Sequence, residues 1–300
     1  MKLKRKLLAA GLALGATALT LTTSTFAWYT ANTEVSMSGV QGASAANGDS
    51  LLLISKTGAN GTYSNSVTLE VNTTTMQPVQ YTVGTESSKA PVFNAFANGA
   101  VSTDAAAATN YVTFDLYFRS SSASHVYLKE MSIVNNTAAT ALPTKDILTT
   151  TGTLLENLST KSTYTMDVLR TLKLAYYTET HTGETTAASS AVGGAFNFDG
   201  GAFCTYSNSD DSSVMTNAHQ YYNAVTGKSI ATSGDGVKSV DTALTAGYDF
   251  GVTPASTATN NDLLVHFYLF IDGWDLQCFD AVQGQAFTVT MNFTSENPNA

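Results

Sequence analysis

Nine consecutive residues, Tyr111 to Arg119, constrain the fold of this chain more than any other stretch. Val112, Phe114, Leu116 and Phe118 fall on one side of an extended backbone, while Thr113, Asp115, Tyr117 and Arg119 fall on the other. Large apolar groups recurring with a period of two are the mark of a half-buried β-strand. The same alternation returns near the C-terminal end, where Phe287, Val289, Met291 and Phe293 alternate with Thr288, Thr290, Asn292 and Thr294. Between them, Leu263 to Ile271 is a nearly continuous apolar strand, with Asp272-Gly273 as a turn signal just after it.

Weaker patterns fill in the rest. Trp28 to Met37 reads as extended, and Leu51 to Ile54 as a buried strand that a glycine turn over 58–61 returns toward Tyr63 to Val71. Val79 to Val83 is a short alternating piece, and residues 98–110 read as loop, with one helical turn at the alanines as the other reading. His125 to Val134 is expected to lie beside Tyr111 to Arg119 as an antiparallel neighbour, since only Ser120 to Ser124 separates them. Val168 to Tyr177 is apolar on both faces and is expected to be a buried strand; Leu154 to Leu158 is the place for one short helix. Residues 178–262, rich in Gly, Ser, Thr and Asn, read as a loop-rich insertion with a few local strands or turns. The expectation is an all-β protein, an antiparallel β-sandwich or jelly-roll-like domain with long polar loops, occupying residues 28–300 as one unit.

Composition supports a folded body with a neutral surface. The apolar share of 43% is enough for a core, and a 10% aromatic share argues against disorder. Charged residues make up only 12%, about half the usual share. The formal net charge is −9, and four of the 14 positive residues are Lys2, Lys4, Arg5 and Lys6. Without those four, ten positives stand against 23 negatives. A diffuse negative field repels nucleic acid and anionic lipid, so neither is an expected partner.

The first 27 residues have the order of a signal peptide: the basic Lys2 to Lys6, an apolar run from Leu7 to about Leu21, then Thr22-Thr-Ser-Thr25 and a small residue at Ala27. Cleavage is expected between Ala27 and Trp28, with an uncleaved membrane anchor as the other reading. Membrane contact is expected only through this segment before cleavage, with a signal peptidase as partner, and the mature chain is expected outside the cell. The junction Thr25-Phe-Ala-Trp-Tyr-Thr30, followed by Asn32 to Val35, resembles the SipW-type signal peptide of Gram-positive exported proteins. The run Phe267-Tyr-Leu-Phe-Ile-Asp-Gly-Trp-Asp-Leu-Gln-Cys278 is similar to a strand, turn and cysteine near the C-terminus of that group, with Asp272 at the acidic position before Gly273. The better-known relatives are the TasA- and camelysin-like surface proteins. The resemblance implies a β-sandwich subunit that assembles into homo-oligomeric fibres of a biofilm matrix.

Few residues suggest chemistry. Cys204 and Cys278 are the only cysteines. Paired after export they would close a loop of roughly 75 residues, worth about 4 kcal/mol in a chain-entropy model; the other reading is two free thiols. The four histidines, His125, His181, His219 and His266, lack short metal-ligand spacing and read as surface or packed side chains. Asn208 to Asp211 and the motif turn Asp272, Gly273, Trp274 and Asp275 hold oxygen ligands, but neither has the twelve-residue calcium-loop frame. Turn capping is the plainer role. Trp274 between two carboxylates suggests a sugar platform or a glycosidase pair; two acids on one turn do not show that they flank a bond, and Trp274 packed on the sheet edge is preferred. No nucleophile elbow, phosphate loop, dinucleotide fingerprint or zincin helix is present. The reading is therefore non-enzymatic, with no cofactor: a surface structural protein, possible fibre subunit by strand addition, or else a monomeric adhesin or glycan-binding module.

Overall fold

The computed structural model describes residues 34–43, 52–58, 61–69, 76–97, 100–101, 110–137, 140–143, 147–148, 154–156, 163–183, 189–198, 243–255, 259–273 and 285–300. In chain order the strands begin with β1 (Glu34–Ala43), β2 (Leu53–Ser55), β3 (Ser66–Val67), β4 (Val79–Thr82), β5 (Val92–Ala97) and β6 (Ala100–Val101). The central ones are β7 (Tyr111–Arg119), β8 (His125–Asn135), β9 (Thr140–Pro143), β10 (Ile147–Leu148), β11 (Leu154–Glu156) and β12 (Thr163–Met166). A single helical turn, α1 (Val168–Thr171), precedes β13 (Leu172–Thr182), β14 (Ser189–Ala191), β15 (Ala195–Asn197), β16 (Asp249–Val252), β17 (Asn261–Ile271) and β18 (Ala286–Thr294).

Two larger sheets organise the described residues. One has five strands in the order β16-β8-β18-β1-β3. The other has six, β14-β13-β17-β7-β2, with β15 also pairing β13. Their apolar residues share one core, because Val112, Phe114, Leu116 and Phe118 of β7 cluster with Val126, Leu128, Met131 and Ile133 of β8 and with Phe287, Val289, Met291 and Phe293 of β18. Rings meet across it: Phe118 stands edge-on to Phe293 at 4.9 Å, and Phe250 of β16 to Phe267 of β17 at 5.3 Å. Burying a ring of this size contributes about 1.5–3 kcal/mol, so these pairs hold the two sheets together. Pairing is antiparallel throughout the larger sheets except for β1, which runs parallel to β18.

Three local expectations are corrected. β8 is not the neighbour of β7. It pairs with β18 and β16 in the other sheet, so residues 120–124 cross from one sheet to the other. Backbone bonds fix that corner: Thr253 N donates to Ser124 O (2.8 Å), and Ser120, fully buried, bridges Ala255. A register shift opposite Lys129 and Glu130 then restores the inward phase, which is why 126 and 128 but also 131 and 133 are buried. Residues 168–171 are not strand but one helical turn, capped by the Asp167 carboxylate, which accepts from Leu169 N at 2.9 Å. Residues 154–156 are not helical; they pair antiparallel with β10.

The described ends of the stretch 178–262 are strand: β13 runs to Thr182, β14 and β15 fold back on it, and β16 joins the other sheet. Residues 100–101, placed in a loop by their composition, pair with β5. Ala27, Trp28, Cys204, Trp274, Asp275 and Cys278 lie outside the described residues, as do the signal segment, Asn208 to Asp211 and His219.

Candidate functional site

Alternate residues of the six-stranded sheet point away from the shared core, and the register lines them up in rows. Tyr177 lies opposite His266, which lies opposite Asp115; Glu179 opposes Leu264, which opposes Tyr117; and His181 opposes Asp262. Strands β13, β17 and β7 thus bring two histidines and three carboxylates onto one surface.

The hydrogen bonds are specific. His266 Nδ1 lies 2.8 Å from Asp115 Oδ1, and its ring stacks on Tyr177 at 4.2 Å. His181 Nδ1 lies 2.8 Å from Asp262 Oδ1, with its Nε2 3.4 Å from Glu179 Oε2. A carboxylate only accepts, so Nδ1–H of each histidine donates to its Asp, and this orients Nε2 toward Glu179. His266 Nε2 is buried without a hydrogen-bond partner, 3.8 Å from Glu179 Oε1.

Asp262 is the hub. Only 1% exposed, it accepts at its second oxygen from the Tyr63 hydroxyl (2.9 Å) and from Arg119 Nη2 (3.2 Å). Arg119 also donates from Nε to Asn261 O and lies 3.8 Å above the Tyr63 ring. A buried carboxylate needs such partners, since an unpaired one would lose its hydration without replacement. The Tyr63 hydroxyl is pushed well up from its ordinary value, by burial first and then by the charge of Asp262. Tyr117 and Tyr177 are raised by burial, with nearby carboxylates adding to it. All three therefore remain neutral O–H donors at neutral pH.

Toward the other end of the same face the β4–β5 hairpin closes over the sheet. Val79 and Phe93 pack on Ala175 and Phe270, with Tyr81, Tyr111 and Tyr268 around them. Phe93 stacks on Tyr111 at 4.3 Å and Tyr81 on Phe270 at 5.4 Å. Asp272 and Gly273 dock here: Gly273 N donates to Val79 O and Asp272 N to Thr171 O, both at 2.9 Å.

Chemically, the cluster ties three strands and the Tyr63 segment together and presents imidazole, carboxylate and phenol groups at a partly open surface. Among the described residues no group of three or more His, Cys, Asp and Glu side chains is arranged to hold a metal ion. Sequence reading treated His181 and His266 as isolated and did not single out Glu179, Asp262 or Tyr63. The available signal was the outward half of each alternation, with Asp115, Tyr117 and Arg119 on one strand and Glu179 and His181 on another. Of the motif turn, Asp272 and Gly273 are described, and they sit against β4.

These features define an all-β protein built mainly from antiparallel sheets. No family model, curated protein or solved structure matches the chain.

Proposed function

We propose that the protein is an exported, non-enzymatic structural subunit of a cell surface or biofilm matrix, a β-sandwich or jelly-roll-like body that assembles by strand addition. The observation that carries this reading is the position of β1. It pairs in parallel with β18 along Glu34 to Met37 and Val40 to Ala43, but on its other side only Val40 and Gln41 meet β3. An N-terminal strand held mainly along one edge is the element most easily traded between copies. The slot beside β18 is the same in every copy, so exchange replaces one set of backbone bonds by an identical set. Because residues 34–37 already have a partner within the chain, the strand that one copy adds to the next is β1 released from its own β18. The SipW-type signal, cut between Ala27 and Trp28, would deliver the subunit outside the cell.

Ser36 and Thr288 are register partners, which supplies the test. Cysteines at both positions, with Cys204 and Cys278 replaced by serine, are oxidised after filaments of residues 28–300 have formed. Disulfides joining successive subunits are the expected result. Filaments whose cystines all lie within single chains would remove strand exchange from the account.

A second reading, a monomeric adhesin or glycan-binding module, is favoured by the partly open polar face around Tyr177, Glu179 and Asp115. One face of the Tyr177 ring is covered by His266, so in this reading hydroxyls and carboxylates carry most of the grip on a saccharide. A stable monomer that binds defined glycans would favour it.

A further inference from the structure

Lys173 is the lysine that the fold treats most unusually. Lysines ordinarily keep their ammonium in water even when the stem is covered. Lys173 is fully buried, and its Nζ lies 2.9 Å from Asn197 Oδ1. The contact does not depend on two wandering side chains, because Lys173 and Asn197 are direct register partners of β13 and β15. Across the sheet Lys173 faces Phe270, and Asp272, 1% exposed, lies one residue beyond the end of that strand. Alternation puts Asp272 on the same face as Phe270 and Lys173. A buried amine and a carboxamide are thus in contact, and a buried carboxyl follows two residues after Phe270, bridging Val79 of the same apolar cluster.

We propose that Lys173 and Asn197 join in an intramolecular isopeptide bond, with the Asp272 carboxyl carrying the proton. Written from the free amine, Nζ attacks Cγ of Asn197, the atom that bears Oδ1. The tetrahedral centre collapses with cleavage of the Cγ–Nδ2 bond. Asp272 takes a proton from the attacking nitrogen and returns it to the departing one, which leaves as ammonia. One carbon–nitrogen bond forms, one breaks, and no oxidant, reductant or cofactor is needed. The fold contributes proximity and exclusion of the water that would otherwise compete for the amide carbon.

The cross-link would do more than join two strands. Asn197 also bridges Ala243, and Leu244 N donates to Asn197 O at 3.3 Å. Both described ends of the stretch between β15 and β16 are therefore gathered at the residue that carries the bond.

Intact-mass measurement of the denatured protein, followed by peptide mapping, tests this. The wild-type chain is expected to weigh one ammonia less than its sequence and to yield a branched peptide joining Lys173 to Asn197. Asn197→Ala, at a partly exposed position, and Lys173→Ala should each weigh what their sequences require. Cyclisation of an asparagine onto its own backbone loses the same ammonia, so linear Lys173 and Asn197 peptides from wild-type protein would overturn the proposal whatever the intact mass. Asp272→Asn preserves shape but cannot take up and return a proton; it should fold by circular dichroism and keep its full mass. Cross-linking in that variant would overturn the role of Asp272 and leave the bond itself standing.

Discussion

The two halves of the outer face of the six-stranded sheet are made by the same three strands with the same alternation, yet they are stabilised in opposite ways. One half, at Phe270, Ala175 and Tyr111, is apolar and lies under the β4–β5 hairpin. The other, at His266, Glu179, His181 and Asp115, has no such cover among the described residues and fills its surface with ion pairs and hydrogen bonds. The difference shows that a strand's pattern does not by itself decide how its second face is satisfied. A covered face is held by ring packing, which is non-directional and tolerates no void. A partly open face is held by polar groups, and there the buried members, Asp262 above all, require every partner.

The covered half should be the more easily broken by a cavity. Phe93 is 5% exposed and contacts the rings of Tyr81, Tyr111, Tyr268 and Phe270. Phe93→Ala is expected to lower unfolding free energy by about 4 kcal/mol, as a large ring lost from a packed site does. Urea denaturation would show it as a lower midpoint with an unchanged slope. A loss below about 1 kcal/mol would mean that the hairpin rests on the sheet without contributing to its stability.

The polar half should respond to loss of charge with little loss of volume. Asp262→Asn removes the carboxylate charge that Arg119 Nη2 meets at 3.2 Å, and removing one partner of a buried ion pair costs about 3 kcal/mol. Paired with His181→Ala in a double-mutant cycle, the change should be markedly non-additive, since His181 bonds the same carboxylate. Additive effects would show that the His181 and Arg119 sides of the cluster act independently.

The comparison also explains what the sequence made legible. Inward residues of β7, β17 and β18 follow from period two alone, and burial of residues 172–175 on both faces was readable only in part, from Leu172, Leu174 and Ala175, because Lys173 interrupts the apolar run. The partner of β8 was not readable, because a short connection suggests a hairpin, and the move to the other sheet depends on Ser120, Ser124 and Thr253 meeting in space. Parallel pairing of β1 with β18 joins segments near opposite ends of the chain, a relation that no local pattern encodes. The helical turn at Val168 did carry a local signal, the Asp167 cap, but an apolar run of mixed phase obscured it. Residues of the polar cluster were individually visible as the outward members of their strands. Their meeting required the register of three strands at once.

The smallest expected effect sharpens the contrast through pH. On the covered half the Tyr81 hydroxyl is pushed by burial from 10.0 to about 12, so the folded state holds its proton after the unfolded chain has released it. A raised folded value contributes stability that is fully present below the unfolded value and is lost as pH rises through the folded one. From Tyr81 alone the loss between neutral pH and about pH 11 should be roughly 1 kcal/mol, with the hydroxyl's partial exposure reducing it further. Tyr268, also raised chiefly by burial, adds in the same direction. Tyr81→Phe should therefore flatten the alkaline limb of a stability-against-pH curve while leaving its slope between pH ~6 and ~8 unchanged, because neither state of that residue titrates there. An alkaline limb identical in the variant would remove Tyr81 as a contributor and leave the cost of high pH to the other raised hydroxyls, Tyr268 on the covered half and Tyr63 on the polar half.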